Sequence, residues 1–255
     1  MTTLHALILG LVEGITEFLP VSSTAHLILT SQILGLEQSD YLKSFNVIIQ
    51  LGAILAVLVL YWRNLLKWGV LKRLAFAFLP TGILGLVLYD TVKLVFFESI
   101  SLILWSLILG GLVLILFEKS SKNSLGKALP IEEIPYWNCF CIGIFQSLAM
   151  IPGVSRSGAS IVGGMSMGLH KKTVVEFSFL LAIPTILAAS ILDLYKNAPA
   201  FTNQEHFSLG IGFIGSFVTA LLSITLLLKF LQKNTFTHFG LYRIALGLFL
   251  LLAWF

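Results

Sequence analysis

From Phe45 to Trp62 the chain carries no Asp, Glu, Lys or Arg. Five further runs are nearly as apolar: Ala75–Leu88 with ragged flanks, Ile100–Phe117, Val174–Leu192, Leu209–Phe230 and Phe239–Phe255. Backbone placed in a bilayer must satisfy its own polar groups, which a helix does within one segment. About 20 residues at 1.5 Å rise cross about 30 Å of hydrocarbon. Of 255 residues, 57% are hydrophobic and 11% charged, against about 25% charged in soluble domains. Mean hydropathy is +0.96. A soluble core cannot grow enough to hide that much apolar surface. An ordinary cytosolic enzyme, a disordered chain and a nucleic-acid binder are excluded. The length leaves little for a soluble domain, so residues 1–255 read as one integral membrane domain.

The net charge of +4 reflects basic loops. Bases cluster at Arg63, Lys67, Lys72 and Arg73, at Lys119, Lys122 and Lys127, at Lys171 and Lys172, and at Lys229 and Lys233. The alternate connections, Asp90–Glu98 with Lys93 and Asp193–Glu205 with Lys196, are poorer in bases. The positive-inside rule makes the first set cytoplasmic, and six spans then alternate consistently, with the C-terminus outside. Cys139 and Cys141 stand one residue apart, a spacing that suits neither a structural disulfide nor a zinc site. No base precedes the first apolar run, and Glu13 and Glu17 interrupt it, so it does not read as a signal peptide.

Leu4–Leu34 and Trp137–Leu169 are apolar but broken midway. Pro20, Ser22, Ser23 and Thr24 break one; Pro152, Gly153, Ser155 and Ser157 break the other. Each half, about 14 residues, is too short to cross a bilayer. Both read as re-entrant helix–break–helix hairpins, which need protein or a wet cavity around the break.

The halves of the chain resemble each other. Phe45–Ala56 lines up with Phe177–Ala188 at an offset of 132, and Gly10–Glu13 through Pro20 and Ser22 faces Gly143–Gln146 through Pro152 and Ser155. Each half, about 1–130 and about 131–255, holds one hairpin and three spans. Three is odd, so the second repeat is inverted relative to the first. The expected fold is an all-α polytopic membrane protein of two inverted-topology repeats. The first hairpin enters from outside, the second from the cytoplasm, and their tips meet within the membrane.

Glu13 and Glu17 are four residues apart on one helix face. Carboxylates within an apolar segment are functional by default. The pair suits a divalent cation, Mg²⁺ or Ca²⁺, or else proton exchange. Ser22, Ser23 and Thr24 follow Pro20, and His26 lies three residues beyond Ser23, a spacing that fits a nucleophile and its base or acid. In the second hairpin, Gly153, Ser155, Arg156, Ser157 and Ser160 make a phosphate-site composition: glycine lets backbone approach, helix amides favour anions, and arginine binds phosphate as a planar fork. An ion pair of Arg156 with Glu13 or Glu17 is compatible with that reading. Arg243 stands near the start of the last span and reads as a side chain snorkelling to the interface. Together these groups point to phosphoryl chemistry on an amphiphile, with the head at the tips and the tail in the bilayer.

The stretch Glu-x-x-x-Glu through Pro20-Val-Ser-Ser-Thr-Ala-His26, with Pro152-Gly-Val-Ser-Arg-Ser-Gly158, closely resembles the undecaprenyl-diphosphatase family, the bacitracin-resistance proteins of bacteria. The resemblance covers essentially the whole chain, including Phe45–Gly52. It implies hydrolysis of undecaprenyl diphosphate to undecaprenyl phosphate and inorganic phosphate, recycling the lipid carrier for wall polymers with a divalent cation. Carried over, Glu13 and Glu17 match the acidic motif, Ser23 the nucleophile with Ser22 beside it, and His26 the acid/base. Ser155, Arg156 and Ser157 match the diphosphate-binding motif. Many members place Gly at Ala25 and Thr at Ser160; the hydroxyl survives at Ser160. A metal-bound water in place of serine stays open, as does a flippase for polyprenyl phosphate using the same midplane site. The phosphatidic-acid phosphatase type needs a histidine six residues after the arginine, where Val162 stands. The expected partners are a polyprenyl diphosphate and the bilayer, with no nucleic acid and a homodimer left open. The expected location is the bacterial inner membrane, with the site facing the periplasmic side.

Overall fold

The structure, a computed structural model, describes residues 1–37, 39–95, 99–120, 129–197 and 202–254. Lys122, Lys127 and Glu98, and the side chains of Asp90, Lys93 and Lys196, lie outside the described residues. Among those described there are ten α-helices and no strand: α1 Thr3–Thr16, α2 Ser23–Ile33, α3 Asp40–Leu65, α4 Trp68–Val95, α5 Ile100–Ser120, α6 Tyr136–Ser147, α7 Arg156–Ser166, α8 Lys171–Asn197, α9 Asn203–Leu231 and α10 Thr237–Trp254. Both broken hairpins form as expected from the Pro and hydroxyl clusters, α1–α2 and α6–α7.

Five helices are long and apolar enough to cross a membrane, within α3, α4, α5, α8 and α9. The sixth expected span is α10, whose apolar part, Thr237–Ala253, is shorter. Helix starts follow local chemistry. The Thr2 hydroxyl accepts from the His5 amide, the Ser39 hydroxyl from the Leu42 amide, and Thr202 and Glu205 form a reciprocal capping box. The outer surface is apolar, with Trp62, Leu86, Val87, Leu116, Ile191, Leu226 and Phe249 exposed. Such a surface fits lipid, and the protein is a multi-pass membrane protein.

In lipid, helices associate through close packing, and small residues at the contact allow it. A Cβ on Gly10 of α1 would sit 2.3 Å from the Gly212 carbonyl of α9, and one on Gly52 of α3 would sit 2.4 Å from the Phe213 carbonyl. Helix α9 is thus gripped by α1 and α3. On the other side α4 packs against α6 and α8, and a Cβ on Gly143 would sit 2.0 Å from the Ala77 carbonyl. Phe18 and Phe179 meet edge to face at 5.3 Å where the first break enters the core. Pro80 in α4 and Pro184 in α8 interrupt their helices' bonding, and each is followed by a threonine facing the region between the hairpins.

Candidate active site at the meeting of two helix breaks

Glu13 lies on the last turn of α1 and Glu17 caps its C-terminal end, and both are buried. The chain then turns through Phe18–Val21 to Ser22, whose φ of +72° is the sole positive value outside glycine among the described residues. Serine seldom adopts this conformation, and such strain concentrates at functional sites. It re-aims the chain so that Ser23 opens α2 facing back toward Glu17. The Ser23 hydroxyl donates to Glu17 Oε2. In the second hairpin Ser155 caps α7, accepting from the Gly158 amide at 3.1 Å, which puts Arg156 on the first turn.

The breaks touch. Arg156 Nη2 and Nε donate to Glu17 Oε1 at 3.0 and 3.3 Å, and Nη1 donates to the Ser178 carbonyl at 2.9 Å. Ser157 donates to the Leu19 carbonyl at 2.8 Å, and Ser155 lies 3.0 Å from Ser157. A cavity of about 170 Å³ opens between them. Its polar lining is Glu17, Ser22, Ser23, Thr24, Ser155 and Arg156 together with Gln50, Thr81, Gln146 and Thr185. At about 30 Å³ per liquid water, that has room for a phosphate-sized head.

The matching family model is described as bacitracin resistance protein BacA and covers residues 6–249. This chain belongs to the BacA family. Among its relatives, the undecaprenyl-diphosphatase of Sulfurihydrogenibium sp. (strain YO3AOP1) is 52% identical over 248 residues, 97% of this chain and 98% of the relative. That of Aquifex aeolicus (strain VF5) is 50% identical over 249 residues, 97% of each chain. That of Wolinella succinogenes is 48% identical over 252 residues, 98% of each.

In this BacA-family chain the site residues expected from the sequence, apart from Glu13, which does not line the cavity, divide into three groups. Glu17, Ser22, Ser23, Thr24, Ser155 and Arg156 share the cavity. Ser157, Ser160 and Gly153 stand behind it: Ser157 fastens the breaks, Ser160 donates to the Arg156 carbonyl at 3.0 Å, and Gly153, at φ +93°, makes the turn where a Cβ would collide with the Ile103 carbonyl. His26 bonds elsewhere. Its Nδ1 lies 2.7 Å from the Ser22 carbonyl, which can only accept, so Nδ1 donates; its Nε2 lies 2.7 Å from the Tyr242 hydroxyl. Ser23 therefore has a carboxylate, not this imidazole, as its partner.

Both Glu13 carboxylate oxygens are buried beside the Glu17 carboxylate, and among the described residues no N–H or hydroxyl donor reaches them. Orphaned acceptors of that kind fit a divalent cation. Among the described residues no group of three or more His, Cys, Asp or Glu stands together. The protein thus offers two carboxylates, the number with which Mg²⁺ is commonly held when phosphate oxygens and water complete its shell. Cys139 and Cys141 are free, as their spacing implies.

Sequence reasoning does not single out Gln50, Thr81, Gln146, Thr185 or Tyr242 for function. A usable signal exists for two of them, since Thr81 and Thr185 each follow a proline inside an apolar run, and a third, Gln146, stands opposite Glu13 between the halves. Arg243 corrects the sequence reading outright. It does not snorkel; it is 2% exposed and bonds four backbone carbonyls. Gly110 and Gly111 leave the room for it on α5, a helix far away in sequence.

Proposed function

We propose that this chain hydrolyses undecaprenyl diphosphate to undecaprenyl phosphate and inorganic phosphate, a reading supported by its relatives' name, undecaprenyl-diphosphatase. The observation that carries the reading is the junction at Glu17, where Ser23 from one break and Arg156 from the other meet one buried carboxylate in a head-sized cavity. The Ser23 oxygen is placed to attack the terminal phosphorus while Glu17 takes its proton. The P–O bond to the bridging oxygen breaks, and polyprenyl phosphate leaves. Water then cleaves the phosphoserine, releasing phosphate and restoring the hydroxyl. Arg156 pairs with the phosphate oxygens as charge shifts onto them. Ser22, Thr24 and Gln50 line the cavity and supply further donors. His26 grips the Ser22 carbonyl and so holds the strained turn in place. Glu13 and Glu17 would hold Mg²⁺ or Ca²⁺, which would neutralise charge on the diphosphate.

An inverted repeat is supported by reciprocal packing. Gly10 and Gly143 stand opposite each other in the two halves, and each seats its hairpin on the second span of the other half, at Gly212 and at Ala77. A transporter uses such symmetry too, but a serine bonded to a buried carboxylate is a hydrolytic arrangement that transport does not need. Sidedness is supported at one end of the molecule. Lys67 pairs with Glu132 at 2.7 Å and Arg73 donates to the Ile134 carbonyl at 2.6 Å, so the base-rich α3–α4 connection lies where the second hairpin begins. On the positive-inside rule that end is cytoplasmic in the inner membrane, and the site opens to the periplasmic side. Purified protein in vesicles containing undecaprenyl diphosphate and Mg²⁺ or Ca²⁺ tests the reading. Release of one phosphate per lipid is expected. Movement of polyprenyl phosphate between leaflets without release would replace hydrolysis by transport.

A further inference from the structure

Arg243 projects from α10 into the centre of the bundle, where α5 and both breaks converge. Its Nε donates to the Leu107 carbonyl at 3.2 Å and its Nη2 to the Ser106 carbonyl at 3.0 Å, both on α5. Its Nη1 donates to Pro20 in the first break at 3.3 Å, and Nη2 donates also to Gly153 in the second at 2.8 Å. Four of the five guanidinium N–H groups are thus used on three separate segments, and among the described residues no carboxylate pairs with the charge. A buried cation without a counter-ion is costly, and truncating its side chain alone would free four carbonyls.

The tethered carbonyls have matched places. Pro20 stands three residues before Ser23, and Gly153 stands three residues before Arg156. One rigid fork therefore sets the distance between the hydroxyl and the guanidinium that meet at Glu17. Helix α5 is shaped to admit it. A Cβ on Gly110 would lie 2.1 Å from Arg243 Nη2, and one on Gly111 would lie 2.6 Å from the Gly240 carbonyl and 3.1 Å from Arg243 Cβ.

We propose that Arg243 is a positioning residue that holds the two breaks at their working separation, an inference that rests on the hydrolytic reading for its kinetic consequence. Lysine presents a point charge on a flexible stem and cannot span the three segments as the planar fork does. Displacing reacting groups by about 1 Å costs about 100-fold in rate.

The test uses Arg243→Gln, Arg243→Lys and Gly110→Ala in the full-length protein, purified in detergent with thermal unfolding as the check on folding. Arg243→Gln should lower kcat for phosphate release about 100-fold while KM moves much less, because substrate contacts remain and only their alignment is lost. Arg243→Lys should fall between the two, and Gly110→Ala should mimic Arg243→Gln by displacing the guanidinium. A second readout needs no activity. With Cys139 and Cys141 replaced by alanine, spin labels at Ile33, at the end of α2, and at Leu148, beside the second break, report the hairpin separation; both sites are exposed. The distance distribution should broaden in Arg243→Gln. An unchanged distribution overturns the proposal whatever the activity, and so does a kcat near that of the parent in a broadened variant. If Arg243→Gln does not fold, Arg243→Lys and Gly110→Ala carry both readouts. If the parent itself releases no phosphate, the hydrolytic reading fails, while the label distances still decide whether Arg243 is the clamp.

Discussion

Arg156, on the second hairpin, is held 3.0 Å from the carboxylate of Glu17 on the first, and this pair is the hinge pin of the site. Both side chains are largely buried. Removing one partner leaves the other charge uncompensated, a loss of about 3–5 kcal/mol in stability. Arg156→Ala should therefore lower Tm and cut phosphate release by about 10²–10³, the usual cost of losing a preorganised electrostatic donor. Arg156→Lys restores charge without the bidentate fork, so it should regain stability before it regains rate. Thermal unfolding and phosphate release on the same preparations check the split.

The two adjacent serines should separate cleanly. Ser23→Ala removes the hydroxyl bonded to Glu17 and should abolish release above background. Ser22→Ala keeps the carbonyl that His26 grips and should lose far less. Substantial activity in Ser23→Ala would instead favour direct attack by water, and equal loss in both would contradict the choice of Ser23 over Ser22. Steady-state release from the two variants decides.

Close backbone packing makes its own prediction. Gly10→Ala and Gly143→Ala force a methyl to within 2.3 and 2.0 Å of a carbonyl oxygen on the facing helix. Each should destabilise by about 1–3 kcal/mol, as overpacking does. Gly210→Ala, on α9 with nothing near its Cβ position, should be neutral or slightly stabilising. Denaturation of the three variants gives the contrast.

The hairpins are legible because the signals are local. A proline and a run of hydroxyls break an apolar stretch, and the helices stop and restart on either side. The i, i+4 spacing likewise places Glu13 and Glu17 correctly on one face. The Ser23–His26 spacing suggests a nucleophile and its base, yet the hydroxyl turns to Glu17 and the imidazole to Tyr242, because partners from other segments decide where a side chain at a helix start points. Arg243 shows the same limit more sharply. Its position near a helix end looks like an interface anchor. What buries it is the absence of side chains at Gly110 and Gly111 on α5, which no reading of α10 alone can reveal.

At the base-rich end, the Lys67 ammonium bonded to Glu132 holds that carboxyl below its usual range. A carboxyl lowered in the folded state contributes stability that is fully present above its ordinary value of 4.5 and is lost as pH falls below 4.5 and through the lowered folded-state value. The pair is exposed, so the contribution is under about 1 kcal/mol. The Tm gap between the protein and Lys67→Ala should be small at neutral pH and close on acidification below that value. A gap that widened in acid would contradict the pairing.

Phosphate release from undecaprenyl diphosphate by purified protein and by folded Glu17→Gln, with Mg²⁺ or Ca²⁺ present, tests the central claim most directly. The substitution keeps the shape and removes the charge that Ser23 and Arg156 share. The parent should release one phosphate per lipid, and the variant should be slower by at least about 100-fold, the lower bound for losing a general base. A Glu17→Gln protein that releases phosphate at the parent's rate would contradict it.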